Sequence, residues 1–299
     1  MTGWSDAVAA DEASALQRVQ PAVQVQVPTL SGDASPAVLI PAHWFAVAGD
    51  APRPAVVLLH GCGGAHDARG ALSARMRAYA ALLTAQGWHV LIPDSLTPRG
   101  ETELCTQRNG TRAVTQRERR RDALGALTWL AARAEVDPDR LALLGWSNGG
   151  STVLAATNLA HPEVGPAPRP RAAVAYYPGC VSELQRGYAP SAPLLLQLGA
   201  ADDWTPAAPC VALATVQRAG ATPVQSIGYP EAHHGFDSSV PVRLRPDVPN
   251  GVRPGAGVHV GGQPAAREAS RAALLSFLKG AFGTESPLPA DPGGPERVR

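Results

Sequence analysis

The chain opens with alternating apolar and polar positions and then passes to unbroken apolar runs. Ala22 to Val27 alternates, as a half-buried strand does. Ala37 to Ile40, and then His43 to Val47, predict its neighbour across the turn Ser31-Gly32-Asp33. From Pro54 the pattern changes. Pro54-Ala55-Val56-Val57-Leu58-Leu59 is continuously apolar and runs into the glycine-rich turn His60-Gly61-Cys62-Gly63-Gly64. Such a run suits a strand covered on both faces of a sheet.

Helix and strand then alternate. Helical spacing from Leu72 to Ala85 stops at Gly87, and Trp88 to Pro93 follows as a strand. Gln116 to Arg133 is helical, with Leu124, Leu127 and Leu130 on one side and Arg117 to Arg121 expected on a solvated face. Leu141 to Leu144 reads as a buried strand, Gly150 to Ala156 as the start of a helix, and Arg171 to Tyr177 as another strand. Ala192 to Gly199, Ala207 to Ala219, Thr222 to Tyr229 and Ala265 to Phe282 complete the series as strand, helix, strand and terminal amphipathic helix. Val248 to Gly262, rich in Gly and Pro, reads as a long loop. The fold class expected is α/β: a mostly parallel central sheet with an antiparallel N-terminal part and helices on both faces. No linker divides the chain, so one domain is expected over residues 22–282. Residues 1–21 form an N-terminal extension, and residues 283–299 a disordered tail.

Composition narrows the function classes. With 299 residues and 45% hydrophobic content, the chain is long enough for a sizeable core. A formal net charge of +1 gives no electrostatic case for nucleic acid or an anionic membrane surface. No apolar run is long enough to span a bilayer. Met1 to Gln20 carries Asp6, Asp11 and Glu12 and lacks the basic and apolar regions of a signal peptide. The four cysteines are widely spaced without a C-x-x-C pair, which argues against a zinc ribbon or a dithiol redox centre; no metal site and no cofactor are expected.

The chemistry centres on Gly145-Trp146-Ser147-Asn148-Gly149, a G-x-S-x-G pentapeptide between a strand and a helix. A strand that turns sharply into a helix holds the serine in a strained conformation with its hydroxyl exposed above the sheet edge. Small residues are needed on either side, where strand and helix close on each other. A serine hydroxyl is a poor nucleophile until a base takes its proton, and the base must itself be oriented. The expected chain order is Ser, acid, His. Asp202 and Asp203 follow the strand ending at Gly199, and either could be the acid, although an Asp before an apolar helix also serves as an N-cap. The pair His233-His234 lies directly after the last strand and supplies the base. An oxyanion needs two amide donors: Asn148 N–H, directly after the serine, and Cys62 N–H in the glycine-rich turn.

Taken in order, these segments resemble the dienelactone hydrolase family within the α/β-hydrolase fold. They are His60 to Gly64, Pro93-Asp94-Ser95 with Pro98-Arg99-Gly100, Gly145 to Gly150, Asp202 to Pro206, and Ala232 to Phe236. The resemblance implies Asp202 as the acid and His234 as the base. The family's namesake enzymes use a cysteine nucleophile where this chain has Ser147, a departure that favours a general serine esterase. The function expected is hydrolysis of small-molecule or polymeric carboxylic esters through an acyl-enzyme on Ser147. The alternatives are a peptidase or thioesterase with the same triad, or a non-catalytic ligand-binding homologue.

Arg99, Arg108 and Arg112 are candidates to bind a substrate carboxylate, or to hold a loop. Trp146 and Trp204 are candidates for pocket walls, with core packing as the alternative. Cys62, Cys105, Cys180 and Cys210 all map to the carboxyl-end rim of the sheet, which predicts the disulfides Cys62–Cys105 and Cys180–Cys210. Disulfides persist in oxidising compartments, so they favour a periplasmic or secreted location over a cytoplasmic one.

Overall fold

A computed structural model describes residues 22–31, 37–217 and 220–283. The expected N-terminal extension, the tail beyond Gly283 and most of the turn Ser31-Gly32-Asp33 lie outside the described residues. The chain runs β1 (Val23–Pro28), β2 (Leu39–Phe45), β3 (Arg53–Leu59), α1 (Ala74–Thr84), β4 (His89–Pro93), α2 (Gln116–Ala131), β5 (Val136–Trp146) and α3 (Asn148–Thr157). It continues with β6 (Ala172–Tyr176), α4 (Val181–Arg186), β7 (Leu194–Gly199), α5 (Ala208–Val216), β8 (Val224–Tyr229), β9 (Arg243–Arg245), β10 (Val258–Val260) and α6 (Pro264–Phe282).

One eight-stranded sheet has the order β1-β2-β4-β3-β5-β6-β7-β8. β1 pairs antiparallel with β2, and β2 with β4; every later pairing is parallel. The alternation in β1 and β2 thus belongs to the antiparallel edge, and the mainly apolar, almost wholly buried strands β3, β4, β6 and β7 to the part covered on both faces. The two-residue period decides which side chain meets which layer. Ala55, Val57 and Leu59 pack on one face with Leu124, Leu127 and Leu130 of α2 and Val153 of α3. Val56 and Leu58 pack on the other with Met76, Tyr79 and Leu83 of α1 and Leu274 and Leu278 of α6.

Three expectations change. The segment between Val38 and Val47 is a single strand that runs through Pro41. The supposed loop at 248–262 contains β10, which pairs antiparallel with β9. The solvated face expected for Arg117 to Arg121 is wrong for two residues: Arg119 and Arg120 are buried. Charge alone suggested solvent there, but α2 packs against the sheet through more than its leucine stripe.

Candidate active site

β5 ends at Trp146 and α3 starts at Asn148, so Ser147 alone makes the turn between them. Its φ of 53° and ψ of −118° lie in a region that L-residues rarely occupy. The turn can be this tight because of two glycines. A Cβ on Gly145 would lie 2.2 Å from the Gly149 carbonyl oxygen, and one on Gly149 would lie 2.0 Å from the Leu59 carbonyl oxygen.

Parallel strand order brings the loops after β7 and β8 to the same rim. Ser147 Oγ lies 2.8 Å from His234 Nε2, and His234 Nδ1 lies 2.9 Å from Asp202 Oδ2. All three residues are buried or nearly so. Asp202 is held by its own loop: Oδ1 accepts the backbone N–H groups of Trp204 and Thr205 at 2.8 and 2.9 Å. Its neighbour Asp203 points elsewhere and pairs with His259 at 2.7 Å. Of the two carboxylates left open by position, Asp202 is the one whose side chain meets His234.

Thr205 has a place that sequence reasoning missed. Its hydroxyl lies 3.0 Å from Asp202 Oδ2, from His234 Nδ1 and from the Tyr177 carbonyl. The imidazole is clamped between Tyr177 and Trp204, each with ring centroids 4.6 Å from it. Behind it, buried Asp237 accepts the Tyr177 hydroxyl at 2.6 Å and both Nε and Nη2 of Arg75. The dipeptide Gly235-Phe236 before Asp237 was the only sequence signal nearby.

The glycine-rich turn after β3 runs beside the serine: a Cβ on Gly61 would lie 3.7 Å from Ser147 Cβ. Cys62, Ser147 and Asn148 line one cleft together. Arg119 ties the two sides of that cleft from below. Its Nη2 donates to the His60 carbonyl at 2.6 Å, and its Nη1 to Asn148 Oδ1. Burial lowers the Arg119 pKa to about 10, so the guanidinium stays charged at neutral pH. Burial, and then the Arg119 charge, push His60 down to about 3. His60 is therefore neutral, and its hydrogen bonds define the tautomer: Nε2 accepts from Ser95 N–H at 3.3 Å, so Nδ1 carries the proton toward the Gly61 carbonyl at 2.8 Å. Sequence reasoning missed Arg119 because its helix gives no sign of which arginine turns inward.

Both expected disulfides are present, Cys62–Cys105 and Cys180–Cys210. The first holds the glycine-rich turn to the segment after β4. The second joins the segment after β6 to α5.

Two clefts meet at Ser147, Cys62 and Trp204. One has a volume of about 920 Å³ and extends past Arg112, His161 and Glu183. The other has about 590 Å³ and extends past His234, Tyr79 and Arg267. Trp204 walls both. Trp146 lines the second and is also a core residue, packed against Tyr79 and Tyr176. Arg99 lines neither: its guanidinium forms a two-pronged ion pair with Asp122 at 2.7 and 2.8 Å and donates to the Ser95 carbonyl. Arg99 thus links the loop after β4 to Asp122 of α2. Of the three candidate arginines, Arg112 is the one that lines either of these two clefts.

The sheet order and the placement of a strained serine at the end of its central strand define an α/β hydrolase. The model of the dienelactone hydrolase family matches residues 42–282, and the chain belongs to that family of hydrolases. No curated protein matches the sequence. Among solved structures, esterase 2 of Thermogutta terrifontis phosphorylated by paraoxon is similar with a TM-score of 0.61 at 17% identity, covering 91% of this chain and 98% of that one. A dienelactone hydrolase-like promiscuous phosphotriesterase from metagenomic libraries has a TM-score of 0.61 at 20% identity, covering 88% of this chain and 100% of that one. At such identities the likeness is one of fold. Among the described residues, no helix is long and apolar enough to cross a membrane.

Proposed function

We propose that the protein is a serine esterase that hydrolyses small carboxylic esters through an acyl-enzyme on Ser147. The observation that carries this reading is the unbroken hydrogen-bonded chain Ser147–His234–Asp202, with the serine on a strained turn at the junction of two clefts. His234 Nε2 takes the proton as Ser147 Oγ attacks the ester carbonyl carbon. The carbonyl oxygen becomes an oxyanion facing the N–H groups of Cys62 and Asn148. The C–O bond to the alcohol then breaks, and His234 returns its proton to the departing oxygen. Water attacks the acyl-enzyme, giving its proton to His234, and the acid leaves as Ser147 recovers the proton. Asp202 keeps Nδ1 protonated and stabilises the imidazolium without taking the proton itself. The two clefts provide separate room for the acyl and alcohol parts, each within the usual volume range of small-molecule sites.

Ser147→Ala tests the assignment. Against a panel of p-nitrophenyl esters of rising chain length, the variant is expected to retain less than about a thousandth of parental turnover. A fluorophosphonate probe is expected to label the parent at Ser147 alone. An unlabelled parent that hydrolyses none of the panel would mean a ligand-binding member of the family, and activity on amide or thioester panels alone would mean a peptidase or thioesterase. Paraoxon is expected to phosphorylate Ser147, because a phosphoryl oxygen can face the same amide donors.

A further inference from the structure

A second cluster of chemistry-bearing side chains lies beside the proposed triad and takes no part in it. Asp203, in the loop after β7, directly follows Asp202 in the chain. His233, in the loop after β8, directly precedes His234. His259 belongs to β10. One ligand atom of each lies within 4.8 Å of the other two. All three residues are partly exposed. His259 meets Asp203 twice, through its backbone N–H at 2.8 Å and its Nδ1 at 2.7 Å. The His233 and His259 rings stand 5.3 Å apart, tilted by 38°. His233 Nδ1 is buried and has no hydrogen-bond partner.

We propose that Asp203, His233 and His259 form a binding site for a divalent transition-metal cation of the zinc class. Two imidazole nitrogens and one carboxylate oxygen match the ligand preferences of such ions and would leave a fourth position to water. At zinc–ligand distances near 2.1 Å, tetrahedral ligand atoms sit about 3.4 Å apart. The three groups reach that spacing by side-chain adjustments of about 1 Å: the 2.7 Å contact between His259 and Asp203 opens a little, and His233 closes in. The cation replaces the proton between His259 and Asp203, and a ring nitrogen of His233 supplies the third ligand atom.

The site would act as a clasp. The strand bearing His259 is bridged to the backbone of His234 at Val260, and Gly261 N–H donates to the His234 carbonyl at 2.9 Å. Asp203 accepts the Val252 N–H through its carbonyl at 2.8 Å. A bound cation therefore ties the β10 segment to the two loops that carry Asp202 and His234. The cation sits outside the hydrolytic steps, and the site stands whether or not Ser147 proves to be the nucleophile.

Titration of zinc sulfate into the chelator-treated, desalted full-length protein tests this by calorimetry, alongside the shift in melting temperature. One cation is expected to bind per chain, with melting raised at saturation. His259→Ala and His233→Ala are each expected to weaken binding by about tenfold or more. His259→Gln and Asp203→Asn serve where an alanine variant melts too low to titrate. The His43–His66 pair, whose Nε2 atoms approach to 2.9 Å, is the competing location, and His66→Ala is expected to leave binding unchanged. Absence of saturable binding overturns the proposal. So does binding that survives the His233 and His259 substitutions, or that is lost in His66→Ala alone.

Discussion

Replacing Arg119 by methionine tests whether one buried cation sets the geometry of the proposed oxyanion site. Methionine keeps much of the aliphatic length while removing the donors to the His60 carbonyl and to Asn148 Oδ1. Removing an entire oxyanion donor costs about 2.7–4 kcal/mol, or 10²–10³ in kcat. Arg119 does not itself supply such a donor; it positions the segments carrying Cys62 and Asn148. Other contacts remain on each side: the Cys62–Cys105 disulfide on the turn, and Gln116 Nε2 at 3.1 Å from the Asn148 carbonyl. Displacement instead of removal of the donors should therefore cost roughly half that free energy, lowering kcat by about 10- to 30-fold with KM little changed.

Stability should respond less than the lost bonds suggest. Two charge-assisted bonds contribute about 1.5–3 kcal/mol each. Removing the buried guanidinium also relieves its desolvation, which was large enough to lower its pKa to about 10. A net loss of about 1–3 kcal/mol is expected. Steady-state kinetics on a short-chain p-nitrophenyl ester, with a urea melt on the same samples, separate the two effects. Arg119→Lys, which can reach one partner at a time, should recover part of kcat. A folded Arg119→Met protein with kcat within about threefold of the parent, or with only KM raised, would refute the positioning role.

Asp202→Asn should reduce turnover by several orders of magnitude, because the amide favours the wrong tautomer of His234, whereas Asp203→Asn should cost less than about tenfold; paired kinetics decide, and the reverse order would show the wrong carboxylate has been chosen. Folding stability should fall in mild acid. His60 binds its proton at about 3 when folded against about 6.5 when unfolded, so its contribution is fully present above pH 6.5 and is lost as pH falls from there toward 3. The slope is about 1.4 kcal/mol per pH unit for this residue, with His43 and His89, also lowered by burial, adding to it. Urea midpoints for parent and His60→Gln between pH 4 and 7 check this, and equal slopes would remove His60 as the source. The disulfides span separations of 43 and 30 residues, and reduction should cost up to about 4 kcal/mol for each on the chain-entropy model. Denaturation with and without dithiothreitol measures it, and an unchanged midpoint with all four thiols free would contradict a stabilising role.

The elements that were legible in the chain are those whose pattern is local. The unbroken run at Pro54 to Leu59 suited a strand covered on both faces, and Ala192 to Gly199, apolar apart from Gln197, read as the next apolar strand; both form buried strands. The helix from Gln116 showed its leucine stripe, and its Thr115–Glu118 capping box is formed. The hairpin of β9 and β10 was not legible: three residues per strand give no period to detect, and the partners are separated in the chain by a Gly- and Pro-rich stretch. The buried arginines were misjudged for a related reason. Arg119 and Arg120 look like Arg117 in the chain, and burial follows from hydrogen-bond partners supplied by His60, Asn148 and Glu163, none of them sequence neighbours.

By itself, the sequence determined the strand-serine-helix turn, the order of the loops and the rim on which they lie, because glycine spacing and hydrophobic period act within a few residues. It also placed all four cysteines on that rim, and both pairings followed from strand adjacency. The tertiary structure alone decided which of two adjacent carboxylates faces His234, which arginine holds the turn and Asn148 together, and that Asp203, His233 and His259 converge. Those outcomes depend on side-chain direction across segments far apart in the chain.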